Sequence, residues 1–124
     1  MQLALVMAGG ALGAALRFWI GGAMLRQFGG ALPWGTLAAN LGGAFAVGLL
    51  ATWLQDRGPL ADRGRAFLIV GVLGALTTYS TLMLEMLLFA RSGRIGTAAV
   101  YLGITLFAGL LLVWAGARFG AALR

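Results

Sequence analysis

The sequence predicts an all-α membrane protein with four transmembrane helices. Of its 124 residues, 61% are hydrophobic and only 10% are charged, which is unlike a soluble domain. The apolar residues lie in four segments of the length that a helix needs to cross a bilayer, about 20 residues. The segments between them are too short to fold as domains, so residues 1–124 should form one transmembrane domain. The expected spans are Leu3–Leu25, Trp34–Leu54, Ala66–Ala90 and Ala98–Ala117.

The first span combines close-packing glycines with an arginine. Gly9 and Gly13 are four residues apart, a spacing that lets two helices approach closely. Arg17 lies in the distal half of the span, and an arginine at a helix centre costs roughly 2.5–3.5 kcal/mol on insertion scales. Two interpretations follow: Arg17 faces a wet vestibule and attracts anions, or it reaches the headgroups because the helix ends early, near Gly21. Of these we favour the vestibule.

The second span carries one strongly polar side chain, Asn40, in its first half. Gly35, Ala39 and Gly43 repeat at close-packing spacing along the same helix. The carboxamide of Asn40 is neutral and offers two donors and an acceptor. Its commoner use in a membrane is to join two helices, and its alternative use is to donate to a dehydrated anion. The residues alone leave both roles open.

The third span holds the most informative stretch of the chain. Residues 74–82 read Gly-Ala-Leu-Thr-Thr-Tyr-Ser-Thr-Leu, which puts four serine and threonine hydroxyls at mid-span. Hydroxyls can bond back to helix carbonyls, but this run beside Gly71 and Gly74 predicts a helix that is broken in mid-membrane. Freed backbone at that depth is tolerated only when it is buried in protein or lines a wet path. Glu85, one turn further on, suits either a polar path or an approach to the headgroups near Arg91.

The fourth span places two polar side chains on one face. Tyr101 and Thr105 are four residues apart and therefore neighbours on a helix. Tyr101 would be an ordinary interfacial ring and Thr105 a back-bonded hydroxyl, or both would extend a ladder of hydroxyl donors from the third span. Gly116 and Gly120 again have close-packing spacing.

The residue inventory excludes most other functions. The chain has no cysteine or histidine, and its three acidic residues form no carboxylate pair, so enzyme chemistry and transition-metal sites are not expected. The net charge of +6 comes from arginines that flank the spans, which favours membrane lipids over nucleic acid as partner. The intramembrane polar groups are hydroxyl, amide and guanidinium donors. Such a set suits an anion or a neutral hydrogen-bonding solute and disfavours cations.

The arginines specify orientation weakly. With four spans, both termini and the second loop share one side, which carries five arginines against three on the other, or four if Arg17 is counted. Because positive charge retains loops in the cytoplasm, a near tie fits a single orientation and insertion in both orientations equally well. In the second case, opposite copies would pair in an antiparallel dimer.

Three motifs follow one another along the chain: Gly-Gly-Ala-Leu-Gly-Ala-Ala-Leu-Arg at 9–17, Gly-Thr-Leu-Ala-Ala-Asn-Leu-Gly-Gly at 35–43, and the 74–82 run followed by Glu85. In this order, in a chain of this length, they resemble the Fluc/CrcB fluoride channels, small bacterial proteins of four spans. The resemblance implies a fluoride-selective channel that exports F⁻ passively and protects the cell, as a multi-pass protein of the inner membrane.

The resemblance also implies an assembly and a set of site residues. The assembly would be a dual-topology antiparallel homodimer with two pores and a structural Na⁺ between the subunits, held by the backbone carbonyls of Gly74 and Thr77. A vestibule would contain Arg17 and Glu85. The implied anion pathway comprises Asn40, Tyr79, Ser80, Thr81, Leu82, Tyr101 and Thr105.

Three positions depart from the family pattern. The family places a pair of phenylalanines where this chain has Tyr79 and Leu82. A tyrosine keeps the electropositive ring edge and adds a hydroxyl, whereas leucine has neither. Gly109 also stands where other members often have a small hydroxyl residue. The departures bear on rate and selectivity.

Two other classes share this length and span count. A small multidrug-resistance-type proton-coupled transporter would need an acidic residue in its first span, where this chain has Arg17. A non-conducting membrane assembly subunit would use the hydroxyls and Asn40 only to join helices.

Overall fold

The computed structural model describes all 124 residues, and every regular element in it is helical. The helices are α1 (Gln2–Phe28), α2 (Trp34–Trp53), α3 (Pro59–Gly64), a π-helical segment (Arg65–Leu73), α4 (Gly74–Leu76), α5 (Tyr79–Arg91) and α6 (Ile95–Ala122). Four helical stretches are long and apolar enough to cross a membrane: Gln2–Phe28, Trp34–Trp53, Pro59–Arg91 and Ile95–Ala122. The predicted all-α membrane class is therefore confirmed.

The helices extend beyond the apolar runs that predicted them. At about 1.5 Å per residue, α6 is about 42 Å long, well above the roughly 30 Å of a hydrocarbon core. Hydropathy marks only the part that lies in hydrocarbon, and the helix continues at both ends. The expected spans leave a loop between Leu54 and Ala66, but a helix begins within it at Pro59. Proline is favoured in the first turn of a helix because its φ is already helical, and here it opens α3.

The glycines noted in the sequence hold the helices together within one chain. A Cβ added at Gly9 would overlap the carbonyl oxygen of Phe67, and one at Gly13 would overlap that of Val72. These contacts bring the backbone of α1 directly against the π-helical segment. Close backbone approach through small residues is the usual way in which membrane helices pack, because lipid offers no hydrophobic driving force between them.

Helices α2 and α6 form a second close pair. A Cβ at Gly48 would overlap the carbonyl of Val113, and one at Gly116 would overlap the carbonyl of Phe45. Both helices run toward the side that holds the termini and the second loop. The pair forms a rigid support on which Asn40 of α2 and Thr105 of α6 face the third span.

The third span changes its backbone geometry twice. In the π-helical segment the hydrogen bonds are one residue wider, and the Gly74 N–H still donates to the carbonyl of Ile69, five residues back. Helix α4 ends at Leu76, and the next two residues are extended, with φ/ψ of −81°/154° at Thr77 and −150°/118° at Thr78. Helix α5 then begins at Tyr79.

Candidate functional site

The site is centred on the two extended residues of the third span. An extended residue between two helices cannot make the regular helical hydrogen bonds, and Thr78 is only 8% exposed. Asn40 supplies both missing partners: its Oδ1 accepts from the Thr78 N–H at 2.7 Å, and its Nδ2 donates to the Thr78 carbonyl at 3.1 Å. In apolar surroundings such backbone groups are costly when unpaired. The carboxamide therefore stabilises the extended backbone.

Gly43, on the next turn of α2, makes room for the other extended residue. A Cβ at Gly43 would overlap the methyl group of Thr77. That methyl is fixed in place because the Thr77 hydroxyl donates to the Leu73 carbonyl at 2.9 Å. One face of α2 thus holds both extended residues.

Several hydroxyls are already committed within the chain. The Thr78 hydroxyl donates to the Thr81 hydroxyl at 3.0 Å and accepts from the Thr81 N–H at 3.2 Å, which caps α5. The Thr105 hydroxyl donates to the Tyr101 carbonyl at 2.9 Å. The Thr78 and Thr105 hydroxyls are held in fixed positions, and their protons are not available to a solute.

A smaller set of donors is unoccupied. The hydroxyls of Tyr79 and Ser80 make no hydrogen bond within the chain, and Tyr79 is 75% exposed. The Thr81 hydroxyl accepts a bond but keeps its own proton free. Asn40 has two N–H groups and uses one of them. Four donors therefore remain beside the extended backbone.

A groove of about 510 Å³ opens along this region between α2, the third span and α6. It brings together four of the predicted pathway residues, the two predicted cation ligands and Gly109. The residues concerned are Asn40, Tyr79, Leu82, Thr105, Gly74, Thr77 and Gly109. Five further predicted residues do not line it: Ser80, Thr81, Tyr101, Arg17 and Glu85.

Tyr101 is a buried side chain, in contrast to the first of its two interpretations. It is 5% exposed and therefore not a ring of the membrane interface. Its hydroxyl donates to the carbonyl of Pro33 at 2.9 Å, and its ring lies 6.2 Å from that of Phe89. Tyr101 joins α6 to the turn that precedes α2.

Glu85 lies in a second cavity, of about 400 Å³, beside the first loop. One carboxylate oxygen accepts a hydrogen bond from the Thr36 hydroxyl, and the other is buried without a protein partner. The side chain is thus directed at α2, and the interpretation that it reaches toward Arg91 is wrong. Thr36 is the partner that the sequence reasoning left out of the site. The sequence could have indicated Thr36 as a site residue, because Thr36 and Asn40 are four residues apart and therefore share one helix face.

The backbone carbonyls of Gly74 and Thr77 have both lost their regular helical partners. In a continuous helix they would accept from the N–H groups of Thr78 and Thr81. Those groups donate to Asn40 and to the Thr78 hydroxyl instead. Carbonyl oxygens freed in this way are suitable ligands for a hard cation. One chain supplies only two of them, which is fewer than such a cation needs.

The chain was compared with known proteins. Residues 4–117 match the family described as CrcB-like protein, Camphor Resistance (CrcB). The chain belongs to the CrcB family. Relatives with the name fluoride-specific ion channel FluC are similar to it over almost its whole length. One from Xanthomonas axonopodis pv. citri (strain 306) is 56% identical over 96% of this chain and 90% of the relative.

Two more distant relatives with the same name extend this agreement. A Xylella fastidiosa (strain 9a5c) protein is 54% identical over 97% of this chain and 84% of its own length. A Thermus thermophilus protein is 44% identical over 96% of this chain and 93% of its own length. The resemblance noted from the three motifs is thus confirmed at the level of the CrcB family.

The two residues that replace the phenylalanine pair have different surroundings. Tyr79 stands exposed at the rim of the groove, whereas Leu82 is 5% exposed and packs into its floor. A ring at position 79 can therefore meet a solute directly, while position 82 is enclosed by protein in the single chain.

Arg17 has no partner within the chain. Gly21 of α1 packs against Gly35 of antiparallel α2, so Arg17, one turn earlier, lies near the level of Asn40. The arginine is partly exposed and makes neither a hydrogen bond nor an ion pair. Helix α1 continues to Phe28, so the interpretation that it ends near Gly21 is wrong.

Proposed function

We propose that this CrcB-family protein is a fluoride-selective channel that exports F⁻ passively and protects the cell from fluoride. It would act as a multi-pass protein of the inner membrane. The observation that carries the proposal is the extended backbone at Thr77 and Thr78, where Asn40 pairs both backbone groups of Thr78 and unoccupied donors lie beside it. The names of the relatives add support, since each is called a fluoride-specific ion channel.

Fluoride is small and strongly hydrated, so a pathway must offer donors that replace its water. The free protons of Tyr79, Ser80, Thr81 and Asn40 are of this kind. Of the three acidic residues, only Glu85 lies within a span, and it does not line the groove. A negative-inside potential supplies about 2.3 kcal/mol per charge per 100 mV, so export needs no coupled energy source.

We infer that two copies assemble in opposite orientations and that the third span is a broken helix in each. The near tie of arginines is compatible with the dual topology. The groove that Asn40 and Tyr79 line is open to one side, and only 16 of 124 residues are buried in a single chain. A second copy would cover the groove, exclude lipid from it and complete two symmetry-related pathways.

Such a dimer would also complete a cation site. The freed carbonyls of Gly74 and Thr77 from two copies would give four hard oxygen ligands, which fits a structural Na⁺. The ion would neutralise the carbonyl dipoles and fix the two extended segments to each other. Replacing Na⁺ by a large organic cation should lower the melting temperature of the purified dimer. An unchanged melting temperature would contradict the site.

Purified protein in liposomes loaded with fluoride tests the function directly. A fluoride electrode should record rapid efflux when a potassium ionophore clamps the potential, and chloride-loaded vesicles should release little chloride. Absence of fluoride efflux, or equal passage of chloride, would refute the proposal. A transporter of the multidrug type would instead show proton movement driven by a cationic drug.

The non-conducting alternative also has one observation in its favour. The two hydrogen bonds between Asn40 and Thr78 are what a purely structural joining of two helices would require. The free second N–H of Asn40 and the unoccupied hydroxyls nearby are not needed for that role. The Asn40 variants discussed below separate the two functions.

A further inference from the structure

A repeated motif lies outside the groove, at the ends of α2 and α6. Trp53 and Arg57 are four residues apart, as are Trp114 and Arg118. The guanidinium of Arg57 lies 4.2 Å from the centroid of the Trp53 ring, and that of Arg118 lies 5.9 Å from that of Trp114. Both arginines are thus stacked on an indole, the aromatic system that holds cations best.

Both pairs belong to the same end of the molecule. Helices α2 and α6 are parallel and in backbone contact at Gly48 and Gly116. Beyond that contact, the Arg124 side chain reaches across to Gln55 and Asp56, at 3.3 and 2.9 Å. The two pairs therefore occur where neighbouring helices leave the hydrocarbon core, and the Trp53 pair lies closer to the helix ends.

The charge at this end is only partly compensated. Of its five arginines, only Arg124 forms an ion pair, and this occupies Asp56. Arg57 and Arg118 donate no hydrogen bond within the chain. Stacking covers one face of each guanidinium and leaves its N–H edge free, in the fork geometry that fits phosphate. Helix C-termini favour cations, which explains why the arginines lie there. It does not explain why their N–H groups have no acceptor within the chain.

We propose that each of the two pairs, Trp53–Arg57 and Trp114–Arg118, binds the phosphate of an anionic phospholipid. Trp114 is 64% exposed, and Leu110 and Leu111, one turn earlier, are 70% and 67% exposed. These side chains would lie along the acyl chains while the guanidinium edges hold the headgroup. The site does not depend on the passage of fluoride.

Titration of the purified full-length protein in detergent, read by native mass spectrometry, tests the site with phosphatidylglycerol as the probe. At about 1 kcal/mol for each arginine near an anionic surface, Arg57→Gln with Arg118→Gln should weaken lipid retention at each pair about fivefold. The matched control is Arg63→Gln with Arg65→Gln, which removes the same charge from the same end without touching a tryptophan. The control should retain the lipid nearly as well as the wild type.

Three outcomes would overturn the proposal. Equal weakening in both double variants would mean that net charge, and not the stacked pairs, holds the lipid. Equal retention of phosphatidylcholine would exclude recognition of an anionic headgroup. Competition by glycerol 3-phosphate at the concentration of the lipid would assign the arginines to a soluble phosphate. Intact dimer mass and an unchanged melting temperature without lipid would show that the variants fold.

Discussion

At the residue scale, Asn40 has two possible tasks, and substitutions can separate them. Asn40→Ala leaves the Thr78 N–H and carbonyl unpaired, which costs about 1–3 kcal/mol for each buried group. Asn40→Asp keeps the acceptor for the Thr78 N–H, loses the donor to the Thr78 carbonyl and adds a negative charge. We therefore expect Asn40→Ala to lower both stability and flux. Asn40→Asp should keep the dimer but lose most flux, because a carboxylate repels the anion.

Liposome efflux and the melting temperature of the purified dimer measure these effects. Thr52→Ala is the matched control, since its hydroxyl bonds back to Gly48 on the same helix, away from the groove. Fluoride efflux unchanged by Asn40→Asp would contradict a role in conduction and favour the non-conducting subunit.

A second residue-scale prediction concerns the ring at position 79. Tyr79→Phe removes a free hydroxyl but keeps the electropositive ring edge, so it should reduce fluoride efflux about threefold or less, given the modest net value of one hydrogen bond. Tyr79→Leu removes the edge and should reduce efflux at least about tenfold. Because the side chain is 75% exposed in the single chain, neither substitution disturbs the fold of one subunit, and both variants should still form the dimer. Equal efflux from the two variants would exclude the ring from the pathway.

The sequence indicates which chemical groups Asn40, Tyr101 and Glu85 offer, but it does not indicate their hydrogen-bond partners. An asparagine in an apolar span must satisfy its amide, and the sequence could not say with what. Its partner, Thr78, is 38 residues away, and the partners of Tyr101 and Glu85 are 68 and 49 residues away. Such pairs depend on how the helices are placed against each other, which one sequence does not specify.

At the scale of elements, the face of α2 that holds the extended residues can be tested by substitution at Gly43. Gly43→Ala forces a Cβ into the Thr77 methyl, whose rotamer is fixed by the hydroxyl bond to Leu73. Overpacking of this kind typically costs about 1–3 kcal/mol. The melting temperature and the flux should both fall. Adding Thr77→Ser removes the methyl, keeps the hydroxyl and should restore both.

The chain offers a close control for this pair. Gly42 is the adjacent residue on the same helix, and nothing lies within 4 Å of a Cβ added there. Because the added methyl group meets no atom of its own chain, Gly42→Ala should leave the melting temperature and the flux unchanged. If Thr77→Ser failed to rescue Gly43→Ala, the contact between the two residues would not be the cause of the defect.

Elements differ in how far the sequence determines them. Each apolar run predicts a transmembrane span, because a helix of that length matches the thickness of the bilayer. The wider hydrogen bonds of the Arg65–Leu73 segment have no such signal, because the segment reads as an ordinary apolar helix. They accompany the backbone contact with Gly9 and Gly13, which exists only after α1 has packed. The hydroxyl run did indicate where backbone groups would need other partners.

At the scale of the whole molecule, the near tie of arginines can be broken by design. Arg26→Gln with Arg91→Gln leaves five arginines against one and should fix a single orientation. The opposite bias, three against five, follows from Arg63→Gln, Arg65→Gln, Gln27→Arg and Ser92→Arg. Because the chain has no cysteine, one introduced cysteine reports the orientation by labelling from outside the cell.

If function requires antiparallel pairing, neither biased variant alone should pass fluoride, whereas co-expression of the two should restore efflux. The cause is geometric: the open groove and the freed carbonyls of Gly74 and Thr77 need a copy inserted in the opposite orientation. Cells lacking other fluoride defences would show the same pattern as growth in fluoride. A variant fixed in one orientation by labelling, yet fully active by itself, would mean that the groove is completed by a parallel copy or by none.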